Sequence, residues 1–185
     1  YNQYNDYNKA LKKSDADMVY ISLPNSMHFK WGKKALINGY HLLVDKPITT
    51  KPGDLKKLIK IANKNQLLIS EAVFFNYHNQ FNYIKKFCGD IKKIEQIFVN
   101  FTIPKPNKSA LLSSLKLGGG TLMDMGPYAA SILRIFFNEN IKKKDVIIKK
   151  NKKGLVTSFD VFFKYETKIF NGTFRFGGEY KNNIF

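Results

Sequence analysis

The stretch YHLLVDKPI, residues 40–48, decides how this chain is read. Leu42, Leu43 and Val44 form an apolar run of the length that suits a strand buried in a parallel sheet. Asp45, Lys46 and Pro47 follow at once, so a charged pair stands where the strand ends and a residue of fixed φ turns the chain. A lysine after a strand is ordinarily a solvated charge. Here Pro47 pins the turn, and the strand before it is apolar enough to cover the aliphatic stem of Lys46, which makes this lysine a candidate for proton transfer at a ligand edge.

Working outward, MVYISL (residues 18–23) reads as a strand rich in β-branched and aromatic residues, ended by Pro24. SMHFKWGKKALING is helical, with Phe29, Ala35 and Leu36 on its apolar stripe, Asn25 or Ser26 as its cap and Gly39 as its stop. The segment TTKPGDLKKLIKIANKNQ is the clearest helix. Thr50 is placed to cap it, Pro52 suits its first turn, and Leu55, Leu58, Ile59 and Ala62 recur at helical spacing. LLISEAVFF closes the series as a third strand. Strand, helix, strand, helix, strand in short succession predicts parallel βαβ crossovers, hence a Rossmann-like half-sheet over residues 1–75. Ligands of such sheets sit outside the carboxyl ends of the strands. Three polar clusters fall there: PNSMH, DKP and FFNYH, with Glu71 and His78 as weaker candidates at the same edge.

Beyond residue 76 the order changes. A helix (NQFNYIKKFC), a long alternating strand (IEQIFVNFTI), a glycine turn feeding a helix (GGGTLMDMGPYAASILRIFF) and three strands in series predict an α+β domain with a mixed, mainly antiparallel sheet over residues 76–185. Asp124 and Tyr128 lie four apart and so share one face of that helix, opposite Leu122, Met125, Ala129, Ile132 and Leu133. Gly118, Gly119 and Gly120 either let the backbone approach something closely or make a turn.

Composition narrows the function classes. The formal net charge of +17 invites a nucleic-acid partner. Yet Arg134 and Arg175 are the only arginines and the lysines are scattered over nearly every element, so no patch of bidentate phosphate or base readers is present and no nucleic-acid partner is expected. No apolar run reaches the length of a spanning helix, so no membrane partner is expected and a cytoplasmic location is. The single cysteine, Cys88, excludes an intrachain disulfide, and no histidine, cysteine or carboxylate spacing matches a metal site, so none is expected. No nucleophile elbow occurs.

Three stretches in order, from DADMVYISLPNSMHFKWGKKALINGYHLLVDKPITT through LLISEAVFFNYHNQF to LGGGTLMDMGPYAASILRIFF, resemble the glucose-fructose oxidoreductase / inositol dehydrogenase family. The resemblance implies a nicotinamide-dependent oxidoreductase with NAD or NADP as cofactor, a Rossmann domain followed by an α/β domain for substrate and oligomerisation, and a sugar, sugar nucleotide or cyclic diol as substrate. Its Glu-Lys-Pro motif is matched by Asp45, Lys46 and Pro47, with Asp a conservative departure. In relatives the lysine transfers the proton, the acid touches the nicotinamide ribose, and the Lys-Pro bond is commonly cis. The loop of Leu23, Pro24, Asn25 and His28 matches the segment near the nicotinamide. On the later helix Asp124 and Gly126 match the family pattern, and Tyr128 stands where most members have His, as in the branch where a tyrosine serves as acid or relay. The resemblance further implies a homo-oligomer, a dimer or tetramer. Departures concern recognition: Asn76 stands where relatives often have Arg, and SALLSSLK lacks an Arg before the glycines.

No G-x-G-x-x-G occurs in the chain, so the pyrophosphate-binding turn and the acid that follows it are missing. With Tyr1 at the start and NNIF at the end, the chain reads as a fragment that lacks its first β-α-β units and its C-terminal portion. The alternative is a non-catalytic family remnant that serves as an interaction module.

Overall fold

The computed structural model describes residues 2–137 and 145–185. It divides into two compact units, Tyr1–Ala72 and Val73–Phe185.

The first unit opens with α1 (Tyr7–Lys13), whose N-terminus is capped by the Asp6 side chain accepting the Lys9 N–H at 2.8 Å. Next come β1 (Met18–Ile21), α2 (Asn25–Ile37), β2 (His41–Asp45), α3 (Pro52–Lys64) and β3 (Ile69–Ala72). The three strands pair in parallel in the order β1-β2-β3, so β2 is central and all three carboxyl ends lie on one edge. Register places Val19, Ile21, Leu42 and Val44 on one face. There Leu42 and Val44 pack with Ala35 and Leu36 of α2 and Leu58 and Ala62 of α3 in one buried cluster. A β-carbon on Gly32 would stand 3.0 Å from the Leu42 side chain, so this glycine lets α2 lie flat against the central strand. The tyrosine that begins the opening motif ties α1 down, for Tyr40 donates its hydroxyl proton towards the carbonyls of Leu11 at 2.9 Å and Ser14 at 3.1 Å.

Several local expectations are corrected. Pro24, not Asn25 or Ser26, takes the N-cap position of α2, and its carbonyl accepts the Met27 N–H at 2.8 Å. Lys51 precedes α3 in the cap position, while Thr49 rather than Thr50 bonds locally, to the Lys51 carbonyl. Ile59 is 40% exposed, since the α3 stripe runs through Leu58 and Ala62, and Ile61 packs beside them. Leu43 is only half-buried, because alternate residues of β2 point to the other face, where Met18 and Tyr20 are more than half exposed.

The second unit contains α4 (Gln80–Cys88), β4 (Gln96–Ile103), α5 (Thr121–Phe136), β5 (Asp145–Lys150), β6 (Val156–Tyr165), β7 (Lys168–Phe176) and β8 (Lys181–Ile184). The sheet order is β5-β6-β7-β4-β8, with β4 and β7 parallel and the other pairs antiparallel. This is the mixed, mainly antiparallel sheet that the pattern of strands predicts. The polar β8 had no apolar alternation to announce it and forms as an edge partner of β4. On one face Ile97 and Val99 of β4, Phe159, Val161 and Phe163 of β6, and Phe170 and Phe174 of β7 meet Met125, Ala129, Ile132 and Leu133 of α5. Gly172 lies between the two β7 phenylalanines. A β-carbon there would come within 2.8 Å of both rings, so its absence makes the space they fill.

Candidate functional site

The turn after β2 is gripped by side chains from three other elements of its unit. The Lys46–Pro47 peptide is cis, Pro47 is buried and Lys46 is half-buried. From α2, His28 is fully buried, with Nδ1 2.9 Å from the Pro47 carbonyl oxygen and Nε2 2.7 Å from that of Leu23. A neutral imidazole has a single N–H, so it donates to one of these carbonyls at a time and the tautomer decides which. From β3, Glu71 accepts the Ile48 N–H on Oε1 at 2.7 Å. From β1, Tyr20 donates its hydroxyl proton to Asp45 Oδ1 at 2.5 Å. That bond to a carboxylate favours the neutral phenol and raises the Tyr20 pKa above its ordinary 10.0.

Asp45, Lys46, Pro47, His28 and Leu23 are thus drawn together at the carboxyl ends of β1 and β2, and Pro24 and Asn25 adjoin them at the start of α2. Sequence reasoning kept Glu71 only as a weak candidate and passed over Tyr20. The signal for Glu71 was an acid at the end of an apolar strand. Nothing local marks Tyr20, because its partner lies 25 residues away.

Asp124 and Tyr128 belong to the second unit, on α5. The glycines before this helix make their close approach to the chain's own backbone: a β-carbon on Gly119 would stand 2.5 Å from the Leu112 carbonyl oxygen and 2.6 Å from that of Leu111. Gly120 has φ +102 and precedes the first helical residue, and its carbonyl accepts the Asp124 N–H at 3.1 Å. Both Asp124 and Tyr128 are half-buried, while Met125 and Ala129 beside them are buried. The Tyr128 ring meets Phe75 and Phe101 edge-on, each at 5.7 Å between centroids. It helps line a cavity of about 540 Å³ together with Phe74, His78, Tyr180 and Asn182. His78 is itself exposed. Among the described residues, no group of three or more His, Cys, Asp or Glu is placed to hold a metal ion, and no helix is long and apolar enough to cross a membrane.

The chain thus carries a parallel half-sheet with a lysine at its carboxyl edge and, later in sequence, a mixed sheet with a helix on which Asp and Tyr stand one turn apart. Residues 1–73 match the Gfo/Idh/MocA model, described as an oxidoreductase family with an NAD-binding Rossmann fold. Among particular relatives, a dTDP-3,4-didehydro-2,6-dideoxy-alpha-D-glucose 3-reductase of Saccharopolyspora spinosa is 33% identical over 132 residues, covering 70% of this chain and 40% of that protein. A trans-1,2-dihydrobenzene-1,2-diol dehydrogenase of Xenopus tropicalis is 24% identical over 176 residues, covering 89% of this chain and 51% of that protein. The solved structure of a 3-ketoreductase from Actinomadura kijaniata, in complex with NADP and TDP-benzene, matches with a TM-score of 0.88 at 25% identity, covering 98% of this chain and 57% of the other. The chain therefore spans between 40% and 57% of the length of these proteins.

Proposed function

We propose that the protein is an oxidoreductase dependent on NAD or NADP, moving hydride between a nicotinamide and a hydroxyl-bearing carbon of a sugar, a sugar nucleotide or a cyclic diol. The observation that carries this reading is the position of Lys46, half-buried on a turn fastened at its Asp45, Pro47 and Ile48 positions, at the carboxyl edge of the sheet that matches the Rossmann-fold model. Support for the substrate class comes from relatives named as 3-reductases of a dTDP-linked sugar and as a dihydrodiol dehydrogenase.

The nicotinamide, when bound, supplies the hydride chemistry. The chain's own part is proton handling and orientation. As hydride leaves a carbinol carbon the hydroxyl acquires alkoxide character; a lysine in its amine form takes that proton, directly or through the phenol, and as the ammonium returns one when hydride is delivered to a carbonyl. In this reading Lys46 moves the hydroxyl proton, and on the second unit Tyr128 is the candidate acid or relay and Asp124 the candidate for orienting the substrate. Leu23, Pro24, Asn25, His28, Asp45 and Pro47 form the nicotinamide side of the site. These residues fit a nicotinamide ribose, since the edge offers a carboxylate on Asp45 and a lysine within one fixed turn. The sequence contains no glycine fingerprint for the pyrophosphate. Residues 1–75 then serve as the C-terminal half of a nucleotide-binding domain, and residues 76–185 as the substrate and oligomerisation domain.

Lys46→Ala in the full gene product tests the assignment. It is expected to lower turnover by about 10²–10⁴-fold while the Kd for NAD(P)H, measured by titration calorimetry, stays close to that of the wild type. Turnover equal to the wild type removes Lys46 from the mechanism. Failure of both NADH and NADPH to bind the full gene product favours a non-catalytic interaction module.

A further inference from the structure

The turn of residues 45–48 is gripped from both faces of the sheet. Tyr20 pairs with Leu43 in register, and Asp45 lies two residues further along β2, so Tyr20 and Asp45 project from one face. Glu71 pairs with Val44 and therefore projects from the opposite face, the one that α2 and α3 cover. The two side chains take hold of opposite ends of the turn: Tyr20 the Asp45 carboxylate at 2.5 Å, Glu71 the Ile48 amide at 2.7 Å. Between these ends the His28 ring faces the Pro47 and Leu23 carbonyls, with one nitrogen within hydrogen-bond distance of each. Lys46 stands inside this frame.

We infer that Tyr20 and Glu71 are positioning residues that hold the turn in one conformation and so present the Lys46 ammonium at a fixed place on the carboxyl edge. The inference rests on the role proposed for Lys46, but its geometric part stands apart from it. Proton transfer needs heavy atoms within hydrogen-bond reach, and a misplacement of about 1 Å costs on the order of a hundredfold in rate. Two hydrogen bonds from neighbouring strands oppose such a misplacement of the turn. Both bonds have one ionisable carboxyl partner, which makes them the stronger kind when that group is charged. Loss of the Glu71 bond is expected to act on the chemical step rather than on nucleotide affinity, since neither Glu71 nor Ile48 belongs to the proposed cofactor contacts, whereas loss of Tyr20 frees Asp45, which does, and touches both.

The experiment compares Glu71→Ala, Glu71→Gln and Tyr20→Phe with the wild type in the full gene product. Amide hydrogen exchange at Ile48 is read first. Glu71→Ala is expected to raise it by about tenfold or more, and Glu71→Gln, which keeps an acceptor oxygen, to restore most of the protection. Steady-state kinetics are read second: kcat is expected to fall in Glu71→Ala and Tyr20→Phe, with KM for nucleotide nearly unchanged in Glu71→Ala, and to recover in Glu71→Gln. An Ile48 exchange rate in folded Glu71→Ala equal to that of the wild type overturns the grip. Faster exchange with undiminished kcat, in a protein whose Lys46→Ala variant is inactive, overturns the positioning role. If Glu71→Ala does not fold, Tyr20→Phe decides: an unchanged kcat in that variant overturns the role. Full turnover in Lys46→Ala refutes the functional reading instead, and the exchange rates then still decide whether Glu71 holds the turn.

Discussion

Tyr20 illustrates how a single side chain on an uncovered face acquires a defined state. Its hydroxyl donates to the Asp45 carboxylate, and loss of the phenolic proton would put two negative charges within hydrogen-bond distance, so its pKa lies above 10.0. The folded value is thus raised over the unfolded one, and the stabilisation from this pair is complete below pH 10.0 and lost as pH rises through the raised folded value. The phenol is exposed, so the effect is small and screened by salt. Comparing unfolding midpoints of the wild type and Tyr20→Phe at about pH 8 and about pH 11 checks the sign: the advantage of the wild type should shrink at the higher pH. His28 shows the opposite situation, a ring fully enclosed and facing two carbonyls, where conformation is set by packing and partners together.

At the scale of elements, helix starts carry two predictions. The Asp6 carboxyl is held below its ordinary 3.8, first by the hydrogen bond from the Lys9 backbone N–H. A depressed folded pKa means that the cap supports α1 above pH 3.8 and that its contribution is lost as pH falls through the lower folded value. Exchange protection of the α1 amides should therefore fall in acid, and Asp6→Ala should show that lower protection already at neutral pH. At α5 the constraint is steric. Gly119→Ala would drive a β-carbon to 2.5 Å from a backbone carbonyl oxygen, which cannot yield as the end of a flexible side chain can. We expect a loss of about 2 kcal/mol, read by urea denaturation, together with displacement of the loop that leads into the helix bearing Asp124 and Tyr128. The triple glycine was visible in the chain, but whether it faced a ligand or the protein's own backbone was not, because Leu111 and Leu112 carry no pattern that announces the contact.

Across the whole molecule, the apolar residues sort into two clusters, one drawn from the first unit and one from the second. Phe170 is fully buried in the second, under α5. Phe170→Ala should cost about 3–5 kcal/mol and lower exchange protection across β4, β6 and β7 before that of β1 and β2, since truncation of a large core ring removes both burial and packing. Equal loss of protection in both units would show that their cores do not melt independently.

What the chain alone determined was local: the βαβ alternation, the α5 stripe from Met125 to Leu133, and the odd placing of Asp45, Lys46 and Pro47 at a strand end. Each is written in the spacing of near neighbours, and the period of a strand or a helix turns that spacing into a face. Only the tertiary structure decided that Tyr20 reaches Asp45, that Glu71 takes the Ile48 amide, that the His28 ring faces two carbonyls, and that β4 lies between β7 and β8. These contacts join residues far apart along the chain. Their partners are chosen by strand register and helix packing, which come into being only once the sheets have formed.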